Sequence, residues 1–351
     1  MTADVLATHV GFAFALFVLS AALTEGMVRL NIADIPNARS SHARPTPKGG
    51  GLAVALSFFL GVTALFFLSS AVRLSEHGFL VYLGLAGLLV VAALIDDLKP
   101  MPPSLKLTVQ IFCAGIFTTA VARFETVSVP GFGVVELGLL GSFATVLWIV
   151  GVMNLVNFMD GINGLVSGTA IIAAGTLAIL ALLSDAPFVY LAALVLVGAT
   201  AGFFVHNFPW GRIFLGDTGS QFLGFALSTL AVIGASEEGG KMSAWLVPIL
   251  ILPLLFDAVL TLVLRALRGE DVTKPHRDHV YQILVRAGLS HAQVSALYFS
   301  LTLLCAVAGV AVQLRYASQG PLILGLLIAL MGALAFLAYR FANGRQVFAK
   351  S

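Results

Sequence analysis

The chain has 351 residues, 59% of them hydrophobic and only 10% charged, with a formal net charge of +2 and a mean hydropathy of +1.00. Soluble domains carry about 25% charged residues, so this composition excludes a water-soluble enzyme and describes a polytopic membrane protein. The small charge excess argues against a nucleic-acid partner, and the two cysteines, Cys113 and Cys305, both lie in apolar runs as small buried hydrophobes rather than as a disulfide or metal pair.

A membrane span needs about 20 apolar residues. The pattern predicts eleven helices, near 5–28, 51–70, 78–95, 105–122, 139–157, 164–183, 188–206, 219–236, 243–267, 293–313 and 320–341, in one integral membrane domain over 1–351. The first run has no basic lead: Asp4 is its only charge before Glu25, and Arg29 follows it. That predicts an uncleaved span with its N-terminus outside. Of the 19 Lys and Arg residues, Arg73, Arg123, Lys241 and Arg315 then fall outside and the other 15 inside, as the positive-inside rule requires. The odd number of spans puts the C-terminus in the cytoplasm. The segments 29–50, 96–105, 154–163, 206–219 and 265–292 become cytoplasmic loops, and every polar motif lies in or beside them.

The first loop, 34–51, is basic, hydroxyl-rich and Gly-rich, with Lys48 before a run of three glycines. This suits a phosphate cradle, although a flexible basic loop has the same composition. Asp96-Asp97 ends the third span. Paired carboxylates at a helix C-terminus oppose both one another and the helix dipole, which favours a functional reading over a plain helix end. The stretch 124–137 alternates around Pro130-Gly131-Phe132-Gly133 and predicts a small β-hairpin outside the membrane.

Asn154, Asn157 and Asp160 then recur at a spacing of three, followed by Gly161 and Asn163. That spacing lines one side of a helix with amides and a carboxylate, which an ordinary connecting loop does not do. Phe214-Leu215-Gly216-Asp217-Thr218-Gly219-Ser220 precedes the eighth span. Its glycines let backbone approach an anion, while Asp217 is either a cap or a ligand. Asp257 lies inside the ninth span, where pairing with an arginine is expected. His276-Arg277-Asp278-His279 has two histidines at helical spacing, but its neighbours Lys274, Arg277 and Arg286 suit a diphosphate better than a zinc ion. Hard oxygen ligands gathered at one face suggest a magnesium-type ion and a phosphorylated substrate.

The combination Asp-Asp, Asn-x-x-Asn-x-x-Asp-Gly-x-Asn, Phe-x-Gly-Asp-x-Gly-Ser and a His-x-x-His loop resembles the polyprenyl-phosphate N-acetylhexosamine-1-phosphate transferase family over nearly the whole chain. The resemblance implies a bacterial inner-membrane enzyme that moves a sugar-1-phosphate from a UDP-N-acetylhexosamine to undecaprenyl phosphate and releases UMP. It implies magnesium as cofactor, with manganese as a substitute, and admits a homodimer. It places Asp217 as the principal metal ligand, Asp96 as the group that deprotonates the lipid phosphate, and Asp97 as a metal-side or phosphate-side neighbour. Asn154, Asn157, Asp160 and Asn163 fall on the nucleotide side, with Asn163 reading uracil and Phe214 stacking on it. Lys48, His276, Arg277 and His279 fall on the diphosphate.

The chain lacks the run of three histidines of phospho-N-acetylmuramoyl-pentapeptide transferases and the His-x-His-His run of the enterobacterial N-acetylglucosaminyl type. Its Pro-His-Arg-Asp-His form is similar to members that initiate O-antigen or other surface polysaccharides, and it leaves the donor sugar open. Direct attack by the lipid phosphate is expected, with a covalent route through Asp97 as the alternative. The competing readings are a secondary transporter, whose site would sit near the midplane rather than at one face, and a lipid-diphosphate phosphatase, which needs no uridine-reading loop.

Overall fold

The computed structural model describes residues 2–34, 45–68, 75–236, 242–274 and 276–347. The first-loop residues 35–44, read above as part of a cradle, lie outside the described residues. In chain order the long helices are α1 (Ala3–Leu30), α2 (Gly50–Leu68), α3 (Glu76–Leu98), α4 (Pro103–Ala120), α5 (Leu139–Met159), α6 (Leu165–Leu183), α7 (Pro187–Asn207) and α8 (Gly216–Ala235), with two-residue strands β1 (Ala33–Asp34) and β2 (Thr46–Pro47) after α1. There follow α9 (Leu246–Leu250), α10 (Leu252–Leu267), the short α11 (Val280–Arg286), α12 (His291–Leu314) and α13 (Gly320–Gly344). Nine helices among the described residues are long and apolar enough to cross a membrane. The chain is a multi-pass membrane protein.

The two remaining predicted spans fall on α4 and on the pair α9–α10. Lys106 and Gln110 dilute the apolar run of α4. The predicted span 243–267 is interrupted at Ile251, the C-cap of α9, with Pro253 in the first turn of α10. Proline is tolerated in a first turn but cannot continue a preceding helix.

The predicted hairpin forms from β3 (Thr126–Val129) and β4 (Gly133–Glu136), paired antiparallel between α4 and α5. It lies at the opposite end of the bundle from Asp96, and Trp245 just before α9 donates its indole N–H to Ser128 O at 2.7 Å.

Helix α8 is the axis of the bundle: nearly all of it is buried, against α2, α3 and α5. Its Phe222 and Phe225 meet Phe58 of α2 edge-on and Tyr82 of α3 face to face. The buried hydroxyls of Ser228 and Thr229 are satisfied within the helix, Thr229 donating to Phe225 O at 2.6 Å. This lets a helix with several polar residues occupy the apolar centre.

Close approach at one end depends on Gly51. A Cβ there would lie 2.1 Å from Gly219 N and 2.2 Å from its Cα, both backbone atoms. We expect Gly51→Ala to push α2 off the start of α8. The cost should be about 1–3 kcal/mol of overpacking, with a fall in both thermal stability in detergent and turnover. An unchanged melting temperature would count against this contact as a packing determinant.

Candidate active site

The acidic end of the bundle is assembled from helix termini. Two local features bring the pieces together. First, the strand segment at Lys48 forms a parallel bridge with Phe214: Phe214 N donates to Pro47 O at 2.8 Å, and Gly50 N donates back to Phe214 O at 3.0 Å. Second, Asn207 at the end of α7 accepts from Gly164 N at 2.6 Å and donates to Ile213 O at 2.8 Å. The Asp160 loop and the Phe214 loop are thereby held to one another. Asn207 was not singled out from sequence, because a lone amide at a helix end carries no motif.

Asp97 caps α8 from another helix. Its carboxylate accepts from Asp217 N at 3.1 Å, Thr218 N at 2.9 Å and Thr218 Oγ1 at 2.6 Å. α8 has no side-chain cap of its own, and its first residue Gly216 has φ +76°, with the Asp97 carboxylate where a Cβ would point. A carboxylate at a helix N-terminus satisfies free N–H groups and complements the dipole. Lys48 Nζ donates to the Asp97 main-chain carbonyl, placing a cation at the C-terminus of α3, where the paired acids are otherwise unfavourable.

Asp96 accepts from Met101 N at 2.7 Å and pairs with Lys106 Nζ, which also lies 3.4 Å from Asp217 Oδ2. Asp217 Oδ1 accepts from Asn157 Nδ2 at 3.1 Å, and the same nitrogen donates to Ser220 Oγ at 2.8 Å. Lys106 therefore sits between two carboxylates contributed by α3 and α8. Sequence reading counted Lys106 only as a topological charge; its position three residues into α4 was the available signal. Desolvation, reinforced by the charges of Asp217 and Asp97, pushes the Asp160 carboxyl up to about 8.

A cavity of about 560 Å³ opens among these groups, in the range of small-ligand sites. Its wall includes Lys48, Asp96, Asp97, Asn157, Asp160, Asn163, Phe214 and Asp217 from the predicted set, together with Lys106 and Asn207. Asn163 donates to Pro209 O at 3.1 Å.

Four predicted residues stand apart from that wall. Asn154 faces into the bundle, donating to Gln110 Oε1 at 2.7 Å, and Gln110 in turn donates to Gln221 Oε1 at 3.1 Å. This amide chain ties α5, α4 and α8 one turn below Asn157, Lys106 and Asp217. His276, Arg277 and His279 lie beside the cavity rather than on it; α11 and α12 contribute Gln282 and His291 instead. Burial, with the charges of His279 and Arg265, holds the His276 imidazole below its ordinary value.

The expected pairing of Asp257 with an arginine does not form among the described residues. Arg265, two turns on, pairs with Asp278 at 2.6 Å and Glu270 at 2.8 Å. Asp257 instead accepts from the backbone N–H groups of Val280 and Tyr281, because neutral donors at a helix start satisfy a buried carboxylate as well as a cation does.

Among the described residues no three His, Cys, Asp or Glu side chains form a ready metal cage. The donor set is hard oxygen from Asp217, Asn157 and Asp160, which matches magnesium, an ion commonly held by one or two carboxylates plus water and substrate phosphate.

Residues 79–235 match the model of glycosyl transferase family 4. The chain is 31% identical over 266 residues to a probable undecaprenyl-phosphate N-acetylglucosaminyl 1-phosphate transferase of Bacillus subtilis, covering 75% of this chain and 72% of the relative. The chain belongs to the polyprenyl-phosphate N-acetylhexosamine-1-phosphate transferase family. The decaprenyl-phosphate N-acetylglucosaminephosphotransferase of Mycobacterium tuberculosis is 30% identical over 295 residues, 76% of this chain and 72% of its own. A phospho-N-acetylmuramoyl-pentapeptide-transferase of Lactiplantibacillus plantarum is 33% identical, but over only 52% of this chain and 55% of its own. Family membership disfavours the transporter reading.

Proposed function

We propose that the protein transfers an N-acetylhexosamine-1-phosphate from a UDP-sugar to undecaprenyl phosphate, releasing UMP, at the cytoplasmic face of a bacterial inner membrane. The product would initiate a surface polysaccharide of the O-antigen type. The observation that carries this reading is the convergence of Asp96, Lys106, Asp217 and Asn157 on one cavity whose wall also bears Asn163 and Phe214. A phosphoryl-transfer centre then lies beside amide and aromatic groups suited to a nucleobase. The broader match to N-acetylglucosaminyl transferases supports an N-acetylglucosamine-type donor over the muramoyl pentapeptide.

Phosphoryl transfer needs mainly positioning and charge neutralisation. Asp217, with Asn157 and Asp160 nearby, would hold magnesium, which when bound supplies charge neutralisation to the diphosphate. Asp96 takes the proton of the lipid phosphate. A lipid phosphate oxygen then bonds to the sugar-linked phosphorus, and the bond from that phosphorus to the UMP oxygen breaks. Lys106 offsets the charge on Asp96 and Asp217, and Lys48 brings a second cation to the cavity wall. The three hydrogen bonds to Asp97 favour a capping role over a covalent one, so we favour direct attack. Phe214 and Asn163 hold the base.

The test is UMP release by purified protein in detergent, with magnesium, undecaprenyl phosphate and a panel of UDP-N-acetylhexosamines. UMP formation that requires both the lipid and one sugar establishes the reaction and names the donor. Folded protein that releases no UMP with any donor overturns it. In the same assay Arg277→Ala should raise the donor KM about tenfold, the scale of one charge-assisted hydrogen bond, with kcat little changed. An unaltered donor KM would remove Arg277 from the diphosphate.

A further inference from the structure

Asp257 is a carboxylate with 2% of its side chain exposed, held in α10 away from the reacting groups. Its partners are all on the C-terminal part of the chain. Oδ1 accepts from Val280 N at 2.8 Å and from Thr261 Oγ1 at 3.3 Å. Oδ2 accepts from Tyr281 N at 3.1 Å and from the Tyr298 hydroxyl on α12. His279 Nδ1 lies 3.5 Å from Oδ1 and has no hydrogen-bond partner in good geometry among the described residues.

These contacts converge on the start of α11, a helix of seven residues. So short a helix is marginal by itself and takes its position from tertiary contacts. From that fixed start, α11 does three things. Tyr281 places its hydroxyl 3.4 Å from Phe158 O, with Gly161 packed against its ring. Gln282 accepts from His279 N at 3.3 Å and reaches the cavity wall. The His279 ring stacks on Tyr281 and lies 4.8 Å from His276. The opposite side of the loop is clamped by Arg265, which binds Asp278 and the Asp271 carbonyl. α10 thus grips the 271–281 segment at two points.

We propose that Asp257 is a positioning residue for the donor: by fixing where α11 begins, it sets Gln282 into the cavity wall and the His276–His279 loop beside it. This rests on the transferase reading above. The amide in Asp257→Asn keeps the volume but turns an N–H donor toward a backbone N–H, so the start of α11 must shift. Tyr298→Phe removes one hydrogen bond and leaves the packing intact.

Two measurements test it. Hydrogen exchange, which needs no substrate, should show faster exchange over residues 280–284 in Asp257→Asn, with the rest of α10 protected as in the parent. In the UMP assay the donor KM should rise tenfold or more in Asp257→Asn and two- to fivefold in Tyr298→Phe, while the KM for undecaprenyl phosphate stays put. Unchanged exchange over 280–284 overturns the anchor. An unchanged donor KM, or an equal rise in both KM values, overturns the donor-specific role. If the parent releases no UMP with any sugar, the transferase reading fails, and the exchange experiment alone decides whether Asp257 anchors α11.

Discussion

Asp217→Asn should lower turnover about a thousandfold or more while leaving the melting temperature close to that of the parent. The loss corresponds to roughly 4 kcal/mol of transition-state stabilisation, the order expected when charge stabilisation at a phosphoryl centre is withdrawn. The fold should tolerate it because the substituted amide still offers its oxygen to Asn157, whose own bond to Ser220 is unaffected. The contact to Lys106, at 3.4 Å, is long. Turnover and thermal unfolding measured on one preparation check both halves. Near-parent turnover would remove Asp217 from the chemistry.

The second large effect is expected from Asp97→Asn, and its signature differs. Both oxygens of Asp97 are engaged by three donors at the start of α8. An amide can accept on one side only, and its N–H group would face another N–H. Hydrogen bonds to charged groups contribute about 1.5–3 kcal/mol each, so stability should fall by about that amount or more. Asp217 sits in the same first turn, so turnover should fall about a hundredfold as well. A combined Asp97→Asn/Asp217→Asn protein should be scarcely less active than Asp217→Asn alone, since the first change acts through the second residue. Loss of turnover with an unchanged melting temperature would instead place Asp97 in direct contact with substrate or ion.

The contrast shows what could be read from the chain. The motifs announced Asp97, Asp160 and Asp217 because ionisable groups beside apolar runs are rare and costly, and their convergence followed from the direction of the spans. The long helices were legible for the same reason. The division of labour among the acids was not legible: a pair written Asp-Asp gives no sign that one member pairs with Lys106 and the other caps a helix 120 residues later. Asn154 has the same spacing as Asn157, but a 3.6-residue period turns it toward Gln110 in the bundle. Lys106 and Gln282 belong to no motif, and only packing brings them to the site. The break at Ile251 was signalled only by Pro253, set in an otherwise apolar run that reads as one span.

Two of the helices that form the site begin on carboxylates from elsewhere: α8 on Asp97, α11 on Asp257. This has a consequence for the order of synthesis. Asp97 leaves the ribosome long before residue 217, so α8 is made after its docking point exists and can seat as it emerges. The chain up to residue 236 can therefore complete the acidic half of the cavity. The half bearing Gln282 must wait for α10, α11 and Tyr298 of α12. A nascent or truncated chain passes through a stage in which the acidic centre is built and the part of the wall that α11 supplies is missing.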